Sequence, residues 1–218
     1  VLDAIRSPEM SDLVPGQYGP GNHKPGYRQE HDVPENSKTE TYIAARLYID
    51  NKRWKDVPFY LRTGKALAKR YAQVNVVLKD VSCPLFSQNG VCLPRTNVIT
   101  IRIQPDEGIS VGFNAKKPGA TIALQEVFMD FCHHCLFALN TPEAYEVLLQ
   151  HLMDGDQTLF TRWDSVLASW QYIDQVKTVL DKQKNRFPNY EAGSMGPKEA
   201  ESLLANLGHQ WIGHRPIQ

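Results

Sequence analysis

The sequence predicts an α+β fold, with a large, mainly antiparallel β-sheet covered on one face by helices. Two observations carry this. Between Thr41 and Phe128, apolar and polar residues alternate in short runs joined by turn signals, which is the period of half-buried strands. From Thr141 onward, apolar residues recur at helical spacing, so strands come first and helices later.

The chain opens on VLDAIR, an apolar and charged pattern that reads like the end of a helix and implies that sequence N-terminal to Val1 has been removed. Residues Pro8–Thr39 are rich in Pro, Gly, His and charge, and read as an irregular segment or long loop. In the first strand Ile43, Ala45, Leu47 and Ile49 alternate with Tyr42, Ala44, Arg46 and Tyr48. Trp54 sits in the loop that follows and is expected to seal the strand edge. Phe59 and Leu61 alternate with Tyr60 and Arg62, and Val74, Val76 and Leu78 with Gln73, Asn75 and Val77. The clearest strand is Val98–Gln104, with Ile99, Ile101 and Ile103 on one face and Val98, Thr100, Arg102 and Gln104 on the other. Pro105-Asp106-Glu107-Gly108 turns it into Ile109–Phe113 as a hairpin. Lys116-Lys117-Pro118-Gly119 turns again, into Thr121–Phe128.

Thr141 reads as an N-cap with Pro142 at the first helical position, and Gly155 closes the helix. A long helix from about Asp164 carries Val166, Trp170, Ile173, Val176 and Leu180 as its apolar stripe. A last helix opens near Pro197, uses Ala200, Leu203, Leu204 and Leu207, and stops at Gly208. Trp163, Trp170 and Trp211 read as core or interface anchors. One sheet face packs on these helices, and the other needs a missing domain, a second subunit or solvent.

At 218 residues the chain suits one large domain or two small ones. Its formal net charge is zero, which argues against a nucleic-acid or membrane-surface partner, and no apolar run approaches a membrane span. Four cysteines, Cys83, Cys92, Cys132 and Cys135, at this low density suggest reduced thiols in a cytosolic protein. Cys132-His133-His134-Cys135 has half the spacing of a zinc site, but free thiols on or beside a strand are the simpler reading. His133 and His134 have no spaced Asp or Ser partner for a triad. Asp154 and Asp156 flank Gly155 and read as turn chemistry.

The functional signal lies in Val57–Arg70, where a short strand opens into a Gly-Lys step. Arg62, Lys65, Lys69 and Arg70 fall within nine residues. Gly64 can take backbone angles that other residues avoid, and it leaves room for a ligand to approach. Lys65 follows as a point charge, with Arg70 one or two helical turns further on. That pattern suits a small dianion such as a sugar phosphate, because charge-assisted hydrogen bonds to phosphate are strong. The alternative is a solvated cluster of surface charge. Thr100, Arg102 and Gln104 could complete a sugar site, the Gln104 amide serving hydroxyls as donor and acceptor, or could simply face water. No dinucleotide or P-loop fingerprint occurs, since Gly16–Gly21 has the wrong spacing and no helical pattern after it.

Several landmarks together carry a family resemblance: Gly16-Gln17-Tyr18, Pro34–Trp54, Val57–Leu67, Ile101–Gly108, Asn114–Gly119, Thr141–Leu149, Asp154–Asp164 and Gly193–Leu204. Essentially end to end, the chain resembles the C-terminal domain of the glucose-6-phosphate dehydrogenase family, bacterial type. The resemblance implies an oxidoreductase that oxidises glucose 6-phosphate to 6-phosphogluconolactone with NADP, in the cytoplasm, at the entry to the oxidative pentose phosphate pathway. Residues 1–218 would be its substrate-binding and dimerisation domain, with the sheet forming a homodimer or dimer of dimers. It implies Lys65 and Arg70 as contacts of the sugar phosphate, and Gln104 as a residue near the sugar. The family's N-terminal Rossmann coenzyme domain, with its catalytic His–Asp pair, would lie upstream of Val1. No catalytic or coenzyme-binding residue is therefore expected here, and no turnover from this chain alone. Animal members hold a further structural NADP, but Tyr71, Asn75 and the GHRPIQ ending depart from that pattern. A non-catalytic sugar-phosphate-binding or regulatory relative, or a purely structural one, is the alternative reading.

Overall fold

The computed structural model describes residues 1–79, 96–105, 107–119, 123–132, 144–183 and 186–215. The chain forms two compact units. The first comprises residues 1–69 and 148–211, the second residues 70–147 and 212–218.

The first unit is built around a three-stranded antiparallel sheet, β1 (Leu13–Gly16), β3 (Tyr42–Leu47) and β4 (Phe59–Gly64), with β3 in the centre. Its register sets Tyr42 opposite Gly64 and Ala44 opposite Arg62. The expected alternation of β3 is present, but it does not leave one face in water. Tyr42 and Ala44 are buried on one side and Ala45 on the other. On the first side they meet Tyr18, Tyr190, Ala192 and α3 (Glu199–Ala205), whose Ala200, Leu203 and Leu204 are all buried. On the second, Leu13 and Ala45 meet Val176 and Leu180 of α2 (Trp163–Asp181). Each such buried leucine contributes about 1.5–3 kcal/mol.

Two expectations are corrected here. The Pro8–Thr39 stretch is not irregular throughout. It holds β1, a two-residue strand β2 (Tyr18–Gly19) that pairs parallel with β9 (Tyr190–Glu191), and short 3-10 turns. Pro15 and Gly16 hid β1 because their strand propensity is low, while antiparallel pairing with Ile43 and Tyr42 supplies what propensity does not. The expected stripe of α2 holds only in part: Val176 and Leu180 are buried, but Trp170 and Ile173 are exposed. Tyr172, Val176, Val179 and Leu180 pack against the core, whereas Trp163 and Trp170 are 76% and 63% exposed. Val1 opens a three-residue 3-10 turn, Leu2–Ala4.

The second unit is a four-stranded antiparallel meander, β5 (Ala72–Val77), β6 (Val98–Gln104), β7 (Gly108–Lys116) and β8 (Leu124–Cys132). Antiparallel pairing dominates, as expected, but the ladders fall into three sets. One face of the meander is apolar and exposed, with Val74, Ile101, Ile109 and Phe131 in a cross-strand row. The other carries Gln73, Arg102, Ser110 and Asp130. The β6–β7 hairpin forms as expected.

Helix α1 (Ala144–Asp154) ends before Gly155, whose φ of 70° explains glycine there. Its expected cap, Thr141-Pro142, lies outside the described residues, as do Thr121, His133, His134, Cys83, Cys92 and Cys135. Cys132 lies on β8 as a disulfide-bonded residue, which corrects the expectation of a free thiol. Cysteine density is a poor guide here, because pairing depends on proximity in space. Among the described residues, no helix is long and apolar enough to cross a membrane.

Candidate functional site

Lys65 immediately follows β4 and begins a turn that is fixed through its backbone. Its N–H donates to Thr41 O at 2.8 Å, and its carbonyl accepts from the Tyr190 hydroxyl at 2.8 Å. Ala66 O accepts from Gly193 N at 2.7 Å, and Ala68 N donates to Ser194 O at 2.8 Å. Each bond contributes about 1 kcal/mol. None of them uses the lysine side chain, which is exposed and makes no ion pair with a described residue. The side chain thus presents a point charge on a flexible stem rising from a fixed backbone.

The expected role of Gly64 is corrected. A side chain there would meet the Tyr42 ring at 2.6 Å, so the space serves core packing rather than a ligand. The left-handed backbone falls instead on Ala66, with φ of 50°. A non-glycine residue in this region is uncommon and is held there by its surroundings. Residues 65–70 are bends, not a helix, so the expected helical spacing to Arg70 does not occur.

The four basic residues have different fates. The Arg62 guanidinium lies 4.4 Å over the Trp211 ring and 4.0 Å from Glu201, with its side chain 11% exposed. It is a packing element. Lys65 and Lys69 are exposed residues of the first unit, and Arg70 is an exposed residue of the second. Within the second unit, β5 begins two residues after Arg70, and its Ala72 pairs with Gln104. Arg70 and Gln104 therefore belong to the same end of the meander, and both are exposed.

The rest of the polar strand face is occupied by the chain itself. Arg102 is buried; its Nη1 donates to Arg215 O at 3.2 Å, and its Nη2 lies 3.9 Å from Asp130. The Arg215 Nη2 donates to both Asp130 oxygens at 2.8 Å and to Ser110 Oγ at 3.1 Å. Burial would raise the Asp130 pKa, but the Ser110 and Arg215 hydrogen bonds and both guanidinium charges hold it below the usual carboxylate value. Thr100 donates to Asn75 Oδ1 at 2.9 Å, and Tyr71 stacks on His214 with ring centroids 5.1 Å apart. For Arg102 neither the sugar-site nor the solvent-facing reading holds, because it is buried and bonded to the Arg215 carbonyl, whereas Thr100 is half-buried on Asn75. Arg215, Asp130 and Tyr190 escaped sequence reasoning, since each acts through a contact distant in sequence.

Asp156 is turn chemistry, as expected. It accepts from Thr158 N at 2.9 Å and pairs with His151 at 3.0 Å. The Trp54 ring packs edge-on against Phe59, 5.3 Å away.

A family model for the glucose-6-phosphate dehydrogenase C-terminal domain matches residues 1–212. A glucose-6-phosphate 1-dehydrogenase of Chlamydia pneumoniae is 44% identical over 216 residues, covering 96% of this chain and 42% of the relative. That of Bacillus subtilis is 43% identical over 219 residues, covering 97% and 45%. Among solved structures, a glucose-6-phosphate dehydrogenase in complex with its substrate glucose-6-phosphate superposes with a TM-score of 0.86. It is 30% identical, and the match covers 98% of this chain and 44% of that one. A glucose-6-phosphate 1-dehydrogenase from Mycobacterium avium gives a TM-score of 0.79 at 35% identity, covering 100% and 44%. The chain thus spans less than half the length of these relatives. Sequence and fold agree on one assignment over nearly every residue: the chain belongs to the glucose-6-phosphate dehydrogenase family and corresponds to its C-terminal domain.

Proposed function

We propose that this chain is the substrate-binding and dimerisation part of a glucose-6-phosphate dehydrogenase. The full-length enzyme oxidises glucose 6-phosphate to 6-phosphogluconolactone with NADP in the cytoplasm. The observation that carries the reading is Lys65, an exposed ammonium, unpaired among the described residues, on a backbone held at four points. Lys65 binds the phosphate as a point charge. Arg70 supplies a second cation, and Gln104 offers an amide to a sugar hydroxyl.

The coenzyme is assigned mainly to sequence upstream of this chain. Gly16–Gly21 runs through β1 and β2 and opens no helix, so it forms no cradle for a diphosphate. Hydride acceptance and the general base are assigned to upstream sequence. The exposed apolar face of the meander is the surface for the second subunit, since a face of this composition favours burial.

The test is the Michaelis constant for glucose 6-phosphate in the full-length enzyme, wild type against Lys65→Ala. Losing a charge-assisted hydrogen bond costs about 1.5–3 kcal/mol, or roughly 10- to 150-fold in KM. An unchanged KM removes Lys65 from the site.

A further inference from the structure

Among the bonds that hold the turn carrying Lys65, one comes from a side-chain hydroxyl. Tyr190 lies on β9, with its ring buried between Tyr18 and Tyr42, at centroid distances of 6.3 and 5.5 Å. Its hydroxyl lies 2.8 Å from Lys65 O, 3.4 Å from Thr41 O and 3.1 Å from Thr41 Oγ1. A phenol has one proton. The shortest contact assigns that proton to Lys65 O, with Thr41 Oγ1 donating in return. The ring is fixed by packing and the parallel β2–β9 pairing, so the hydroxyl is a rigid anchor.

The same loop grips the next residues. Gly193, at φ of 87°, donates to Ala66 O at 2.7 Å, and Ser194 O accepts from Ala68 N at 2.8 Å. A side chain on Gly193 would meet Asn22 Cβ at 2.7 Å, which leaves glycine as the residue that fits. Ala66 is the left-handed residue between these anchors. Its unfavourable backbone is held by the bonds at Lys65, Ala66 itself and Ala68.

We propose that Tyr190 is a positioning residue for substrate phosphate, acting through the Lys65 carbonyl to hold the ammonium where the phosphate sits. The inference rests on the reading of Lys65 as a phosphate ligand. Tyr190→Phe removes the hydroxyl and keeps the ring in the core. In the full-length enzyme this variant raises KM for glucose 6-phosphate about fivefold, the loss of one hydrogen bond, with kcat and the coenzyme KM unchanged. Combined with Lys65→Ala it adds nothing further, because the hydroxyl works only through Lys65. Amide hydrogen exchange in residues 64–68 accelerates while β3 and α3 keep their protection, which separates local loosening from unfolding.

If Lys65→Ala raises KM but Tyr190→Phe leaves it unchanged, or adds fully to Lys65→Ala, the positioning role is overturned and the phosphate site stands. The positioning role also falls if Tyr190→Phe weakens protection throughout the first unit, since the hydroxyl is then a general stability element. If Lys65→Ala leaves KM unchanged, both readings fall.

Discussion

Arg215 and Asp130 form a two-point ion pair, with one guanidinium nitrogen 2.8 Å from each carboxylate oxygen, and Arg102 approaches the same carboxylate to 3.9 Å. Two cations thus share one anion, and the Arg102 side chain is only 2% exposed. Removing the shared carboxylate leaves both guanidinium groups uncompensated, whereas removing Arg215 leaves Arg102 and Asp130 with each other. Asp130→Ala is therefore expected to destabilise the second unit by about 3 kcal/mol, and Arg215→Ala by less, about 1–2 kcal/mol. Urea unfolding followed by far-ultraviolet circular dichroism gives the order, and the reverse order refutes the shared-anion account.

The same cluster sets an acid limit. The folded Asp130 pKa lies below its unfolded value, so its contribution is present above that unfolded value, near 4, and is lost as pH falls through the lower folded one. Stability of the wild type should drop more steeply below about pH 4 than that of Asp130→Asn. Parallel curves between pH 5 and 2 would show that Asp130 is not the responsible group.

Two glycines, Gly64 and Gly196, approach the ring of Tyr42. A Cβ on Gly196 would overlap the ring and face a φ of 106°, while one on Gly64 would approach it to 2.6 Å without that backbone strain. Gly196→Ala should cost about 3 kcal/mol and Gly64→Ala about 1–2 kcal/mol. Combining Gly64→Ala with Tyr42→Leu, which shortens the obstructing side chain, should cost less than the sum of the two. Thermal midpoints of the four proteins check this, and simple additivity contradicts direct contact.

Local signals were readable in the sequence and non-local ones were not. Val98–Gln104 alternates over seven residues, so its two faces follow from period alone. Lys65 stood out because a Gly-Lys step follows a strand. Helix α2 was legible in part: Val176 and Leu180 of its expected stripe are buried, but apolar residues occupy more than one face, and period alone does not choose which meets the core. The Tyr190 anchor is 125 residues from Lys65, and no spacing rule spans that separation. Ala66 gave no sign of its left-handed backbone, since only the bonds on either side impose it.

Buried tyrosines offer a spectroscopic check on the core of the first unit. Burial pushes Tyr42 up to about 12 and Tyr172 up to about 12. Burial, aided by Glu30, raises Tyr18 further still. The folded values exceed the unfolded one, so the contribution of these groups is present below about pH 10 and is lost as pH rises through the folded values. Alkaline titration at 295 nm should show a late group of at least three tyrosinates, released together with loss of structure. Ionisation of all nine tyrosines near pH 10 would contradict this packing.

The exposed face of the meander is where the proposed subunit contact can be tested. Val74, Ile101, Ile109 and Phe131 form one row across all four strands, and Ile99, Val111 and Met129 continue the apolar face in the next row. A lysine at the centre of such a face costs little in a monomer, where its ammonium stays in water. In a dimer the charge is taken out of water, and its cross-strand neighbours Val74 and Ile109 offer it no carboxylate. Ile101→Lys should therefore weaken self-association of the full-length enzyme by at least about 100-fold while leaving the folded monomer intact. Sedimentation velocity across a dilution series reads the shift. An unchanged dimer would place the subunit contact elsewhere and leave this apolar face without a partner.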